Sequence, residues 1–493
     1  WHGTYAEIRT DALRLVTILA ESGLEPGDAV AFQLPNWREA VVAFYGLAMG
    51  GYVLVPIVHI YGHKEVRFIL GQSRARAYIS ADRYGHVDYL DIVDGAAPDE
   101  LADLELHLVV GSAEGPPHSQ VRRVPWDVVH AAAPAAAIGT ADCDDVCVLA
   151  YTSGTTSDPK GVMHSHRTLV AELLHMRGWI TPGSPNLMGS PVTHATGMLG
   201  AVLAPMDIGE DIHLIDRWDP SRVLQIMLDA DVGAGTGASV FLASLLDHPA
   251  FSPEHARRMR RIGLGGAPVP IALAERAASH GISIVRAYGS TEHPSVTGCS
   301  FDDPADKRHA TDGAPMTGVE IRLLGDDGGP AASGEAGEIW SRGPDLCVGY
   351  ADPALTGEMF DGDGWYRSGD MGVLDAAGFL TITDRVKDVI IRGGENISAA
   401  EIEESIGMLP QVAEVAVVAV PDERLGEHAC AVVRLVPGVE SVDLSDITAE
   451  LERIGLARQK WPEELRTVED FPRTASGKVR KVDLRRQLRA GGR

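Results

Sequence analysis

The chain has 493 residues, of which 45% are hydrophobic and 23% charged, and a formal net charge of -26. That length exceeds what one hydrophobic core organises and implies two or more domains. The excess of acid argues against nucleic acid and anionic membranes as partners, and it requires any site for a phosphorylated ligand to be a local positive island. Five scattered cysteines, Cys143, Cys147, Cys299, Cys347 and Cys430, have the look of reduced thiols in a cytoplasmic protein. Cys143 and Cys147 have no second Cys/His pair at ligand spacing, so no metal is expected there. No apolar run reaches membrane-spanning length and no signal peptide opens the chain. Because it begins at Trp1 rather than methionine, some N-terminal sequence is expected to be missing.

In chain order, residues 5–24 carry Ile8, Ala12, Leu15 and Leu19 at helical spacing and stop at Gly23. Residues 29–34 read as a strand, 37–49 as a helix closed by Gly50 and Gly51, 53–58 as a strand, 64–70 as a helix and 77–80 as a strand. This alternation predicts a mostly parallel βαβ sheet. Residues 111–140 are rich in Ala, Pro and Gly and read as a surface connection. They lead to the apolar strand 146–150 and then to residues 151–161, Tyr-Thr-Ser-Gly-Thr-Thr-Ser-Asp-Pro-Lys-Gly.

Five Ser/Thr hydroxyls, two glycines and a lysine in eleven residues suit a triphosphate tail. Small residues let backbone N–H groups crowd an anion, hydroxyls add donors, and Lys160 adds a mobile positive charge. An ordinary Ser/Thr/Gly surface turn is the alternative. The segment is not the G-x-x-x-x-G-K-[ST] phosphate loop, because no Gly-Lys-Ser/Thr follows at that spacing. Residues 168–176 then read as a helix, and residues 191–198 hold His194 before a small-residue turn. Residues 233–238 match the G-x-G-x-x-G/A dinucleotide fingerprint, but a helix rather than a strand precedes them, so a nicotinamide site is rejected.

Strand 262–265 ends in Gly266, Ala267 and Pro268, and strand 282–288 ends in Gly289, Ser290, Thr291 and Glu292. Loops at the carboxyl ends of parallel strands are where ligands bind. There Tyr288 offers a flat face for a purine, and Glu292 is a hard oxygen ligand suited to Mg²⁺ beside phosphates. Asp370, in Trp-Tyr-Arg-Ser-Gly-Asp, could accept hydrogen bonds from both ribose hydroxyls. The last hundred residues alternate strand and helix on a smaller scale, and near their end Ser476 and Gly477 make a mobile approach to Lys478.

Taken in order, the segments around 151–161, 194, 266–268, 287–292, 370–385 and 478 resemble the adenylate-forming superfamily: acyl-CoA synthetases, luciferases and peptide-synthetase adenylation domains. The likeness covers essentially the whole chain and departs at Ser157, where the family usually has glycine. It implies an α/β fold with a large N-terminal domain of packed α/β sheets (1–384) and a small mobile α+β C-terminal lid (388–493), hinged near 385–387 with Lys387 as pivot. It further implies ATP, Mg²⁺ and CoA as cofactors. ATP would meet Thr152, Ser153, Gly154, Thr155, Thr156, Lys160, Gly266, Ala267, Pro268, Ala287, Tyr288, Gly289, Ser290, Thr291, Asp370 and Arg385. Mg²⁺ would meet Glu292 and Thr155, and CoA would pass Arg392, Gly393, Gly394 and Glu395. Lys478, His194 and Glu292 would be catalytic, with His194 lining the carboxylate pocket.

The implied activity is ATP-dependent ligation of a carboxylic acid to CoA through acyl-AMP. The loop and pocket segments are most similar to cyclohexanecarboxylate and medium-chain acid:CoA ligases, so a medium-chain, alicyclic or aromatic acid is expected. No Asp occurs between Val192 and Pro205, where an amino-acid-adenylating relative typically holds the substrate ammonium, so a pocket without a counter-charge is expected. An acyl-AMP ligase serving a carrier protein and a non-catalytic nucleotide-binding protein remain the alternatives. A cytoplasmic homodimer, with neither nucleic acid nor membrane as partner, completes the expectation.

Overall fold

The computed structural model describes residues 1–491 except 86, 116–119, 153–158, 326, 333, 386–387, 393–394, 423–425, 454–455, 457 and 475–476. The first helix, Tyr5–Glu21, starts at a capping box: the Thr4 hydroxyl accepts from the Glu7 N–H at 3.2 Å, and the Thr4 N–H donates to Glu7 Oε2 at 2.7 Å. Two otherwise orphaned donors are satisfied, a contribution of about 1 kcal/mol. The helix buries Ala12, Leu15 and Leu19 completely and packs on the helix Arg38–Gly50, which ends at Gly51 with φ +73°.

Both helices belong to the core of an eight-stranded sheet. Six strands are parallel, in the order Val146–Thr152, Val53–Pro56, Ala29–Gln33, Ala77–Ala81, Leu106–Val110, Arg122–Pro125. At the other end Lys160–Ser165 runs antiparallel to Val146–Thr152, and Gly349–Tyr350 runs antiparallel to that. Residues 111–140 are therefore more than a surface connection. Arg122–Pro125 is an edge strand, where a terminal proline forfeits no ladder bond, and Trp126 and Val129 anchor the following short helix in the core.

The second region holds the parallel set His213–Leu214, Asn186–Met188, Gly233–Ala234 and the sheet Arg261–Gly265, Ser283–Tyr288, Thr297–Gly298, Ala314–Pro315. A bridge from Gly237 to Leu264 links them around one apolar core. An antiparallel sheet of Glu320–Leu324, Gly337–Arg342, Tyr366–Leu374 and Leu380–Arg385 follows. Beyond it, Ile390–Arg392, Glu395–Ile397, Val412–Asp422, Gly426–Leu435 and Glu464–Thr467 form a last sheet. The helices Ala399–Gly407 and Leu444–Arg453 pack on it around an apolar core of their own, and Lys481–Gly491 packs over a second small cluster. The result is the expected α/β architecture, a large sheet-based N-terminal part and a smaller C-terminal one. Among the described residues no helix is long and apolar enough to cross a membrane.

Candidate active site

A cavity of about 690 Å³ opens where the strands Asn186–Met188, Gly233–Ala234, Arg261–Gly265 and Ser283–Tyr288 end. Its walls include His194, Gly237, Gly265, Ala287, Gly289 and Lys478. The turn after Ser283–Tyr288 folds tightly on itself, the Ser290 N–H donating to the His293 carbonyl at 2.9 Å. A Cβ on Gly289 would lie 1.9 Å from the Pro294 carbonyl oxygen, so only glycine fits there. Met176, Trp179, Met188 and Leu199 give the cavity an apolar side.

His194 and Lys478 come from opposite ends of the sequence to this one space. Burial, reinforced by the Lys478 charge, pushes the His194 imidazole down to about 4, so the ring is neutral at pH 7. Its Nδ1 accepts from the Thr196 N–H at 3.3 Å. Lys478 rides on a tight turn: the Thr474 N–H donates to the Lys478 carbonyl at 2.8 Å, and the Lys478 N–H donates to Thr474 Oγ1 at 3.1 Å. Arg473 braces the turn, donating to the Gly477 carbonyl at 3.1 Å and pairing with Glu414 at 2.5 Å. Contacts near the cavity hold the C-terminal part against the rest, beside the Ser398 hydroxyl donating to the Thr383 carbonyl at 2.9 Å. An added Cβ on Gly477 would stand 3.0 Å from Val240 Cγ1, and the Ile271 N–H donates to Glu404 Oε1 at 3.1 Å. Ile271 opens the helix Ile271–Ser279, whose N-cap Pro270 offers no side-chain acceptor, so Glu404 caps that helix from the other part of the chain.

Asp370 is 5% exposed and accepts from the Tyr288 hydroxyl at 2.7 Å. The antiparallel register sets Asp370 opposite Arg385, so the two expected ribose contacts are neighbours in one sheet. Tyr288, expected to offer a ring face to a purine, is not among the cavity residues; its hydroxyl donates to Asp370, and its body packs on the Leu323–Ile339–Leu380 cluster. Glu292 is buried and accepts from the Tyr350 hydroxyl at 2.8 Å. Tyr350 pairs with Val162, two residues past Lys160, so Glu292 lies beside the root of the phosphate segment. Thr152 and Lys160 face each other across that antiparallel pair.

Gly266, Ser290 and Thr291 line the cavity, while Ala267 and Pro268 continue the turn outside it, the Pro268 carbonyl accepting from Ser239 Oγ at 3.1 Å. Arg392 is not among the cavity residues and pairs with Glu463 at 2.6 Å. The expected sites Ser153, Gly154, Thr155, Thr156, Lys387, Gly393 and Gly394, and the side chains of Arg385 and Glu395, lie outside the described residues, as does Ser157.

The sequence did not point to Glu172, which lines the cavity from the helix His166–Met176. The pocket is thus not free of acidic side chains. Burial, with the Asp345 charge next, pushes the Glu172 carboxyl well above the usual carboxylate range, so in the absence of a cation it is a neutral acid. At the wider end of the cavity Asp231 pairs with Arg258 at 2.8 Å. Glu172 lies upstream of the His194 segment and comes to the pocket only through tertiary packing.

A family profile described as AMP-binding enzyme matches residues 2–351, and one described as AMP-binding enzyme C-terminal domain matches residues 401–478. The chain is 33% identical over 488 residues to a medium-chain fatty-acid–CoA ligase of Escherichia coli (strain K12), covering 98% of this chain and 86% of the relative. Its fold matches ATP-bound MatB from Rhodopseudomonas palustris with a TM-score of 0.86 at 27% identity, over 98% of this chain and 93% of the other. It likewise matches o-succinylbenzoate CoA synthetase (MenE) from Bacillus subtilis, in complex with the acyl-adenylate intermediate OSB-AMP, with a TM-score of 0.80 at 27% identity, over 98% and 93% of the two chains. With profile matches in both parts of the chain and a relative one third identical along nearly its whole length, the chain belongs to the AMP-binding enzyme family.

Proposed function

We propose that the protein is an AMP-forming carboxylic acid:CoA ligase acting on a medium-chain, alicyclic or aromatic acid, with its division into domains at 385–387. The main support is that Lys478, carried by the C-terminal part, lines the same cavity as His194, Ala287 and Gly289. In the first half-reaction a carboxylate oxygen attacks the α-phosphorus of ATP, and the bond to the bridging oxygen breaks, releasing pyrophosphate. Lys478 neutralises charge between carboxylate and α-phosphate, and Lys160 does so at the outer phosphates. Asp370, aimed by Tyr288, holds the ribose. Neutral His194 walls the carboxylate without placing a charge beside it.

Glu292 fits Mg²⁺ by donor chemistry, a carboxylate oriented by Tyr350 beside the phosphate segment. Mg²⁺ bound there would neutralise phosphate charge. In the second half-reaction the CoA sulfur attacks the acyl carbon, AMP leaves with the phosphate oxygen, and the thiol proton passes to solvent. Free thiols at all five cysteines support a reducing, cytoplasmic setting.

Acid-dependent exchange of labelled pyrophosphate into ATP, followed by product analysis with CoA, tests this reading. Exchange without thioester would make the protein an acyl-AMP ligase, and no exchange with any acid would make it a binding protein.

Two further results are expected. First, an uncharged acyl tail should be preferred over any α-amino acid by about 10² in kcat/KM, because an ammonium enters beside Lys478 and neutral His194 without an ionised partner, a cost of roughly 2–3 kcal/mol. A better α-amino acid than the best simple acid refutes the neutral pocket. Second, Glu404→Ala removes a helix cap that is made in the arrangement that puts Lys478 in the cavity. A loss of about 0.5–2 kcal/mol predicts a few-fold to thirty-fold slower adenylation with thioester formation from supplied acyl-AMP unslowed. Equal slowing of both steps would remove Glu404 from this role.

A further inference from the structure

Behind the acyl side of the cavity lies a buried group that the proposed reaction does not use: Glu172, His175 and Asp345, 2%, 7% and 0% exposed. One atom of each, a carboxylate oxygen or the His175 Nδ1, lies within 4.8 Å of the other two. The His175 Nδ1 is 3.6 Å from Asp345 Oδ1 and 3.9 Å from Glu172 Oε2. Neither the Nδ1 nor the Glu172 Oε2 has a hydrogen-bond partner. The other His175 nitrogen, Nε2, stands 2.9 Å from the Thr317 carbonyl, which can only accept. The ring proton therefore belongs on Nε2, and Nδ1 turns a lone pair toward two carboxyl groups.

The ion-pair partners of the two carboxyls among the described residues are the histidines His175 and His293. Among the described residues neither carboxyl pairs with a lysine or arginine. Asp345 meets the His293 Nε2 at 3.2 Å and accepts from the Ser295 N–H at 3.1 Å, while the Ser295 hydroxyl donates to Glu172 Oε1 at 2.9 Å. The His293 Nδ1 faces the Ser341 hydroxyl at 2.8 Å. Three polar atoms thus converge in a buried place, with the Glu172 carboxyl set against Asp345 and the His175 Nδ1 left without a donor, which is costly unless something positive lies between them. At 3.6 and 3.9 Å the separations from Nδ1 are too long for a proton to bridge. An ion centred among three atoms so spaced would lie about 2.0–2.4 Å from each, against roughly 2.0–2.2 Å for Zn–N and Zn–O bonds.

The contacts around the group are those a metal site has. Each ligand has a further partner: His175 the Thr317 carbonyl, Glu172 the Ser295 hydroxyl on Oε1, and Asp345 the Ser295 N–H on Oδ2, while the Asp345 Oδ1 that faces His175 also meets the His293 Nε2. A ligating histidine characteristically gives its second N–H to a carbonyl or carboxylate in this way. One nitrogen and two carboxylates suit Zn²⁺ or a similar transition ion rather than Mg²⁺. We infer that Glu172, His175 and Asp345 bind one divalent transition-metal ion, which ties the helix His166–Met176 to the Ser295 and Asp345 segments behind the acyl pocket.

The probe is Co²⁺, added without nucleotide to full-length protein stripped with a chelator. One Co²⁺ per chain is expected, with a visible d–d absorption band, and binding should tighten as pH rises because Glu172 must lose its proton. Glu172→Gln, close in shape and retaining an acceptor for Ser295, and His175→Ala should each weaken binding at least tenfold and alter the band. Glu292→Gln should leave it unchanged. Less than 0.1 Co²⁺ per wild-type chain, a band equally strong in Glu172→Gln and His175→Ala, or an infrared signature of a protonated Glu172 that persists with saturating Co²⁺ would overturn the inference. In the last case the two carboxyls share a proton instead. The wild-type stoichiometry decides the matter even if a variant fails to fold, and none of these readouts depends on ligase activity.

Discussion

Lys478→Ala is expected to slow acyl-AMP formation by on the order of 10²–10³, the usual cost of losing one preorganised charge-stabilising group. Thioester formation from supplied acyl-AMP should remain nearly intact. Lys478 is set by a turn in the C-terminal part, and that turn reaches the cavity while Glu404 caps the helix Ile271–Ser279. In the same pose Arg392, the one expected CoA contact whose side chain is described, is engaged with Glu463 and is not among the cavity residues. One rigid arrangement therefore serves the first half-reaction better than the second. Lys387→Pro should give the reverse pattern, with adenylation kept and thioester formation slowed, because a fixed φ restricts rotation at the pivot. Pyrophosphate release and thioester formation are measured separately for each variant. Equal slowing of both steps in both variants rules out a two-pose cycle.

Asp370→Ala should raise the KM for ATP by about 10- to 150-fold, from roughly 1.5–3 kcal/mol lost with hydrogen bonds to a charged acceptor. Tyr288→Phe should act in the same direction but less, about 2- to 12-fold, since it removes only the hydroxyl that aims the carboxylate, about 0.5–1.5 kcal/mol. The KM for the acid should hardly move in either variant. Both side chains are largely buried, so thermal melts must accompany the kinetics. An unchanged ATP KM in folded Asp370→Ala protein would remove Asp370 from the ribose site.

The features legible in the sequence are local ones. Helical periodicity at Ile8, Ala12, Leu15 and Leu19 marks a helix because one turn fixes which side chains share a face. Glycines at strand ends mark ligand loops, since a Cβ would collide as it would at Gly289. The edge strand Arg122–Pro125 was hidden because Ala, Pro and Gly on either side dominate its composition, and its pairing with Leu106–Val110 is not a local property. The contacts that tune the site were equally hidden. Tyr288 reaches Asp370 across 82 residues, Ile271 reaches Glu404 across 133, and Ser295 reaches Glu172 across 123. Each is a single polar contact made by tertiary packing, with no periodic pattern to announce it. The acidic side chain in the cavity wall was hidden for the same reason: the search for an acid was confined to one segment, while Glu172 enters from another helix.

The Glu404 cap on Ile271 also bears on the direction of the catalytic cycle. A bond of about 0.5–2 kcal/mol biases two arrangements by only a few-fold to thirty-fold, whereas moving a population from 1:99 to 99:1 takes about 5.5 kcal/mol. A fastening that weak cannot commit the C-terminal part to either arrangement. On the proposed mechanism the occupants do so: a triphosphate would recruit Lys478, and once pyrophosphate departs the lysine would lose most of the negative charge that held it. The order of the two half-reactions is then imposed by the departure of a product, and high pyrophosphate should return the chain to its first arrangement even with acyl-AMP bound.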